Sequence, residues 1–156
     1  FLHTTRLHAV SRVGLAMEPE PLFSAQALVH ARRQAGLTQA EVARHLGLAG
    51  GERVSTWERG VAAPQNPKQL HALAAALNVQ PIDLLNPNHQ GGGLRWYRTL
   101  AGMSVAELAL AAHVSAATVK RWESQGIRRD LPEATVRDLA EALKVTPSAV
   151  TDALRR

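Results

Sequence analysis

The chain has no cysteine, which excludes disulfides and cysteine-ligated metal sites. A reducing cytoplasm is the compartment this composition fits. No apolar run approaches the roughly 20 residues that span a bilayer, so no membrane association is expected. No stretch alternates apolar and polar residues as a half-buried strand does, which points to an all-α fold. P-loop, GxSxG and HExxH patterns are all missing. The histidines (His3, His8, His30, His45, His71, His89 and His113) are scattered without metal-ligand spacing and are expected at surfaces and turns. No catalytic constellation remains, so neither an enzyme nor a bound metal or cofactor is expected.

What the chain does have is basic charge and a repeat. Its net charge is +5 and its sequence pI about 10.7, a moderate excess that suits a polyanionic partner. The run Ala35-Gly-Leu-Thr-Gln-Ala-Glu-Val-Ala43 returns 66 residues later as Ala101-Gly-Met-Ser-Val-Ala-Glu-Leu-Ala109. Val54-Ser-Thr-Trp-Glu58 returns as Val119-Lys-Arg-Trp-Glu123, and Leu73, Leu77, Val79 and Pro81 return as Leu139, Leu143, Val145 and Pro147. A repeat that keeps Gly, hydroxyl, Glu, Trp-Glu and Pro in order is one small domain present twice.

The expected division is a tail at 1–22, a first domain at 23–85, a linker at 86–93 and a second domain at 94–156. The tail is read as disordered. Its first 16 residues contain no acid, and Met17 precedes a plausible chain start, so 1–16 is expected to be an upstream-reading remnant. A basic arm laid on a nucleic acid is the alternative. The linker carries Pro, Asn and Gly91-Gly-Gly93, a flexible composition.

Each repeat reads as five short helices. Ser24 to Ala35 stops at Gly36, and Leu94 to Ala101 stops at Gly102, both good left-handed caps. Thr38-Gln-Ala-Glu41 and Ser104-Val-Ala-Glu107 are capping boxes that open the second helices. After a tight turn, a third helix ends near Trp57 or Trp122. A fourth starts near Pro67 or Pro132, and a fifth opens at Pro81 or Pro147. Small Ala43 and Ala109 fall where two helices of a helix-turn-helix pair cross, and Val54, Trp57, Val119 and Trp122 face the core.

With these residues in place the chain resembles the Cro/C1-type (XRE) helix-turn-helix family of the lambda-repressor-like fold. The phrases are Gly-Leu-Thr-Gln-Ala-Glu-Val-Ala (36–43), Val-Ser-Thr-Trp-Glu-Arg-Gly (54–60) and Ala-Leu-Asn-Val-Gln-Pro (76–81), with weaker copies at 102–109, 118–123 and 142–147. The resemblance covers nearly all of 24–152. It implies two tandem five-helix domains, each putting its third helix into the major groove of double-stranded DNA. It also implies ion pairs between the first and third helices, Arg32 with Glu58 and Arg98 with Glu123.

Two departures stand out. The first repeat has an extra turn residue within Ala49-Gly-Gly51, which leaves the start of its third helix open. The second has Val105 where the family prefers Gln, and His113 where it prefers Gly. His tolerates left-handed backbone better than most residues, so His113 is read as a turn residue.

The groove-facing candidates are Glu52, Arg53, Ser55 and Thr56 in the first repeat, and Ala116, Ala117, Thr118, Lys120 and Arg121 in the second. Alanines can touch thymine methyls, Arg or Lys can bond guanine, and Glu52 can accept from cytosine N4. Gln39, Arg59, Lys120, Arg128 and Arg129 are the phosphate candidates. The expected function is sequence-specific transcriptional regulation by repression, in the cytoplasm on the nucleoid. Two unlike reading heads in one chain predict an asymmetric site, with half-sites about 34 Å apart at one-turn spacing. A short flexible tether would raise the second head's effective concentration to roughly millimolar. Two alternatives stay open: the second repeat is a homodimerisation or protein-binding module, or the chain is an antitoxin-type autoregulator. The arginine- and alanine-rich, lysine-poor composition suggests a GC-rich bacterial or phage genome.

Overall fold

A computed structural model of the chain describes residues 21–90 and 92–155. The remnant or basic arm expected at 1–16 lies outside the described residues. Within them the fold is all-α, with nine α-helices and a single isolated bridge between Phe23 and Leu85.

The first repeat comprises α1 (Ala25–Ala35), α2 (Gln39–His45), α3 (Glu52–Glu58) and α4 (Pro67–Ala76). Ser24 caps α1 by accepting from Ala27 N at 3.1 Å. Gly36, at φ +70°, ends the helix. The α2 capping box is complete: Thr38 Oγ1 accepts from Glu41 N, and Glu41 Oε1 accepts from Thr38 N, at 3.1 and 3.0 Å. Asn66 caps α4 at Gln69 N, with Pro67 in the first turn, where its missing N–H costs nothing.

The fifth helix expected at Pro81 is a single 3-10 turn, Pro81–Leu84. The reason is local. Pro87 follows six residues on and biases Asn86 toward extended backbone, so a helix could not run past this point, and Leu85 already leaves the turn with ψ 151°. That extended stretch pairs with the segment before α1: Ser24 N donates to Leu84 O at 2.8 Å and Asn86 N to Leu22 O at 2.7 Å.

The second repeat comprises α5 (Leu94–Leu100), α6 (Val105–Ala111), α7 (Ala116–Gln125), α8 (Glu133–Leu143) and α9 (Pro147–Leu154). The Ser104–Glu107 capping box repeats that of the first. Here no proline follows Pro147, and the last element is a full two-turn α-helix capped by Thr146. Left-handed residues recur at the same repeat offset: Gly36 and Gly102, Gly47 and His113, Asn78 and Lys144. His113 at φ +59° therefore occupies the glycine position of the turn.

Each repeat has its own core. Leu28, Val42, Val54, Trp57, Leu73 and Leu84 centre the first. Leu108, Val119, Leu139, Val150 and Leu154 centre the second. Ala43 and Ala109 are buried at the two helix crossings, where a larger side chain would hold the helices apart.

The repeats also pack on each other. Trp96 of α5 is only 4% exposed and sits in the first repeat's core, not in its own. Half-buried Tyr97 packs against both cores. The segment expected as a flexible linker holds a 3-10 turn at Pro87–His89, and the helix that follows it is docked on the first repeat.

Candidate nucleic-acid interface

The site is built on the pairs α2–α3 and α6–α7. In the second repeat Ser115 opens α7: its Oγ accepts from Thr118 N at 3.1 Å, and the two hydroxyls lie 2.9 Å apart. Val119 and Trp122 point into the core. At helical spacing, that leaves Ala116, Ala117, Lys120 and Arg121 on the open face. Thr118 is half-buried at the cap. Arg128 and Arg129 are exposed in the bend that follows α7.

In the first repeat α3 starts at Glu52, which resolves the open question about its turn. Gly51 precedes it without a side-chain cap. An added Cβ at Gly51 would lie 3.0 Å from Ala40 N and 3.1 Å from Gln39 C, so a larger residue there would press α3 away from the start of α2 by a few tenths of an ångström. Glu52, Arg53 and Arg59 are exposed, while Ser55 and Thr56 are half-buried. Thr56 donates its hydroxyl to Arg53 O at 2.7 Å. The third helices also differ in length: α3 ends one residue past Trp57, and α7 continues three residues past Trp122.

Beneath each third helix lies a nearly buried ion pair. Arg32 Nε meets Glu58 Oε2, its Nη2 donates to Glu58 Oε1 at 3.0 Å, and its Nη1 donates to Leu37 O at 2.9 Å. Arg98 makes the same three bonds with both Glu123 oxygens and Met103 O. A single guanidinium thus ties helix one, helix three and the turn leading into helix two. Burial pushes the Glu58 carboxyl up, but hydrogen bonds from Arg32 and Gln39 and the nearby Arg32 and Arg33 charges outweigh it and hold its pKa below the usual value. The bond to Glu58 in turn raises the Arg32 pKa.

Gln39 and its counterpart Val105 differ in a way the sequence did not display. The sequence assigns Gln39 to a phosphate. In the structure its amide nitrogen donates to Glu58 Oε1 at 3.1 Å, making a third bond to the buried carboxylate. Val105 cannot do this, and Glu123 keeps Arg98 alone. Val105 instead lines a cleft of about 420 Å³ between the repeats, shared with Ala63, Pro64 and Gln65 from the α3–α4 loop and with Ser104.

Sequence reasoning missed the residues that join the repeats. Lys68 Nζ lies 3.0 Å from Glu107 Oε1 and within 3.4 Å of Gly102 O. His71 Nε2 lies 3.0 Å from Thr99 O. Trp96 carried a readable signal: it occupies the position of His30, which the first repeat leaves exposed. A tryptophan on a face that its own repeat does not cover points to a partner surface.

Two helix-turn-helix units with open second helices define a class, the DNA-binding helix-turn-helix proteins. Residues 25–86 match the family model described as Helix-turn-helix domain, and residues 94–150 match the one described as Helix-turn-helix. The chain thus carries two helix-turn-helix domains in tandem, an arrangement consistent with an XRE-like two-domain protein. Proteins of such families are typically regulators rather than enzymes. No curated protein and no solved structure gives a significant match to the chain. Among the described residues no helix is long and apolar enough to cross a membrane, and no group of three His, Asp or Glu side chains could hold a metal ion.

Proposed function

We propose that this protein is a sequence-specific transcriptional regulator that reads double-stranded DNA with two unlike recognition helices, α3 and α7, and represses by occupying its site. The division into domains at 23–85 and 94–156 joined by 86–93 belongs to this reading. The observation that carries it is the open face of α7. Small Ala116 and Ala117 at its start permit close approach to base edges, and Lys120 and Arg121 stand one turn further along. Arg128 and Arg129 beside it supply phosphate contacts. In the first repeat Arg53, Ser55 and Thr56 take the reading role, Glu52 accepts from cytosine, and Arg59 contacts phosphate. Gln39 presents its remaining amide donor to the backbone while it holds Glu58. Repression follows from occupancy, because a protein seated in two major-groove segments excludes others from them. Cytoplasmic, nucleoid-associated placement goes with that role.

Arg121→Ala tests the reading. Affinity for a selected site should fall by about 1–3 kcal/mol, with relaxed preference at one base pair, as measured by titration of labelled duplexes. Arg128→Ala should weaken all sequences alike and lower the salt slope by about one. An unchanged affinity for Arg121→Ala would favour a second reading, in which only the first repeat reads DNA and the second binds a protein partner or a second copy. Leu110 supports that reading, being 78% exposed on α6.

A further inference from the structure

The contact between the repeats is heterologous. It uses α4 of the first repeat, through Lys68 and His71, against α5 and the start of α6 of the second, through Thr99, Gly102 and Glu107. Counterparts of Lys68 and His71 in the second repeat are Ala134 and Arg137, and that of Glu107 in the first is Glu41. A pseudo-two-fold copy of the contact would set Ala134 against Glu41, so symmetry cannot reproduce it.

The same contact joins unlike rims of the two reading units. A helix in the major groove is flanked by two phosphate backbones. The start of the preceding helix faces one, and the loop after the reading helix faces the other. Here the loop after α3 and the start of α6 line one cleft. Both inner rims are poorer in phosphate-binding residues than the outer ones, the first keeping only Arg59 at the end of α3. The first repeat has Ala63-Pro64 where the second has Arg128-Arg129, and the second has Val105 where the first has Gln39. Phosphate-binding residues remain at the outer rims. An inverted pair of reading units would bring like rims together, whereas this docking brings unlike rims together.

We infer that the DNA site is a direct, head-to-tail pair of dissimilar half-sites held at one spacing, because Trp96, Lys68 and His71 lock the second repeat onto the first. The inference rests on both α3 and α7 reading DNA. It replaces a free tether with a fixed ruler: spacing tolerance is set by the docked face, and the glycines at 91–93 contribute little to it.

The test uses the full chain. Binding selection on random duplex identifies the half-sites. Competition then compares duplexes that carry them in direct, inverted and everted order, with spacing changed by single base pairs. Direct order at one spacing is expected to win by roughly tenfold or more over a half-turn offset. Trp96→Ala should flatten the spacing preference without changing the half-site sequences. Lys68→Glu combined with His71→Ala leaves both cores intact and should broaden the preference in the same direction. A preference for inverted order, or a wild-type chain indifferent to spacing, overturns the inference. Residual dipolar couplings of the free protein supply a readout without DNA. One alignment tensor for both repeats is expected, and two separate tensors overturn the docking whatever the DNA result. A selection that enriches no sequence, with one tensor, defeats the proposed function and with it this site geometry.

Discussion

Arg98 and Glu123 show how much one pair of side chains decides in this protein. Their side chains are only 9% and 11% exposed, and the guanidinium uses all three nitrogens on two partners. Removing one member strands a charge away from water, which costs more than the pair itself is worth. Glu123→Gln is therefore expected to destabilise the second repeat by about 3–5 kcal/mol in chemical denaturation. Replacing both partners, with Arg98→Met and Glu123→Leu, should recover most of that loss. The family resemblance announces this pair, and the recurrence of Arg and Glu at matching positions in both repeats agrees with it. The sequence could not announce that Gln39 bonds Glu58, because a glutamine at a helix start reads equally well as a ligand for a phosphate. Which reading holds depends on where α3 sits against α2, and Gly51 sets that distance.

At the scale of elements, most helix starts were legible, while the uncapped start of α3 and some of the ends were not. Thr38, Ser104, Ser115 and Thr146 all cap as their local sequence demands. The 3-10 turn at Pro81–Leu84 depends on Pro87 and on pairing with Leu22, and the second contact is remote in sequence. The capping boxes make a pH prediction. Glu107 is held down to about 2, chiefly by the backbone N–H of Ser104, then by Lys68 and the Ser104 hydroxyl. Glu41 is lowered in the same direction by Thr38. A carboxylate whose folded pKa lies below its ordinary 4.5 contributes stability above that pH and loses it as pH falls toward the folded value. Equilibrium unfolding between about pH 5 and pH 2 should show stability declining with acid. Glu107→Gln should flatten part of that decline, since glutamine can still close the box but does not titrate.

For the whole molecule, docking couples the stability of the two repeats through Trp96. A fragment covering 21–90 keeps every helix of the first repeat but loses Trp96 from its core. Its stability is expected to fall below that of the same repeat in the full chain by about 2 kcal/mol, the scale of burying one large apolar side chain. Thermal unfolding of the fragment and the full chain, followed at the first repeat's own amides, measures the difference. Equal stability would mean that Trp96 contributes nothing across the boundary. A fragment starting at 94 would expose that tryptophan and should self-associate.

The sequence by itself determined the duplication, the all-α class, the capping boxes and the two cores, while the arginine–glutamate pairs were implied by the family resemblance. The first four follow from short-range chemistry: helix periodicity, side chains that reach their own backbone, and glycine or histidine where φ turns positive. The relation between the repeats was decided by the tertiary structure alone. Trp96, Tyr97 and Leu100 of α5 read as ordinary apolar residues of a short helix, and Lys68 and His71 look like ordinary surface residues until the partner surface is present. Complementarity between two folded surfaces has no period and no fixed spacing along the chain, so it becomes visible only once both surfaces exist.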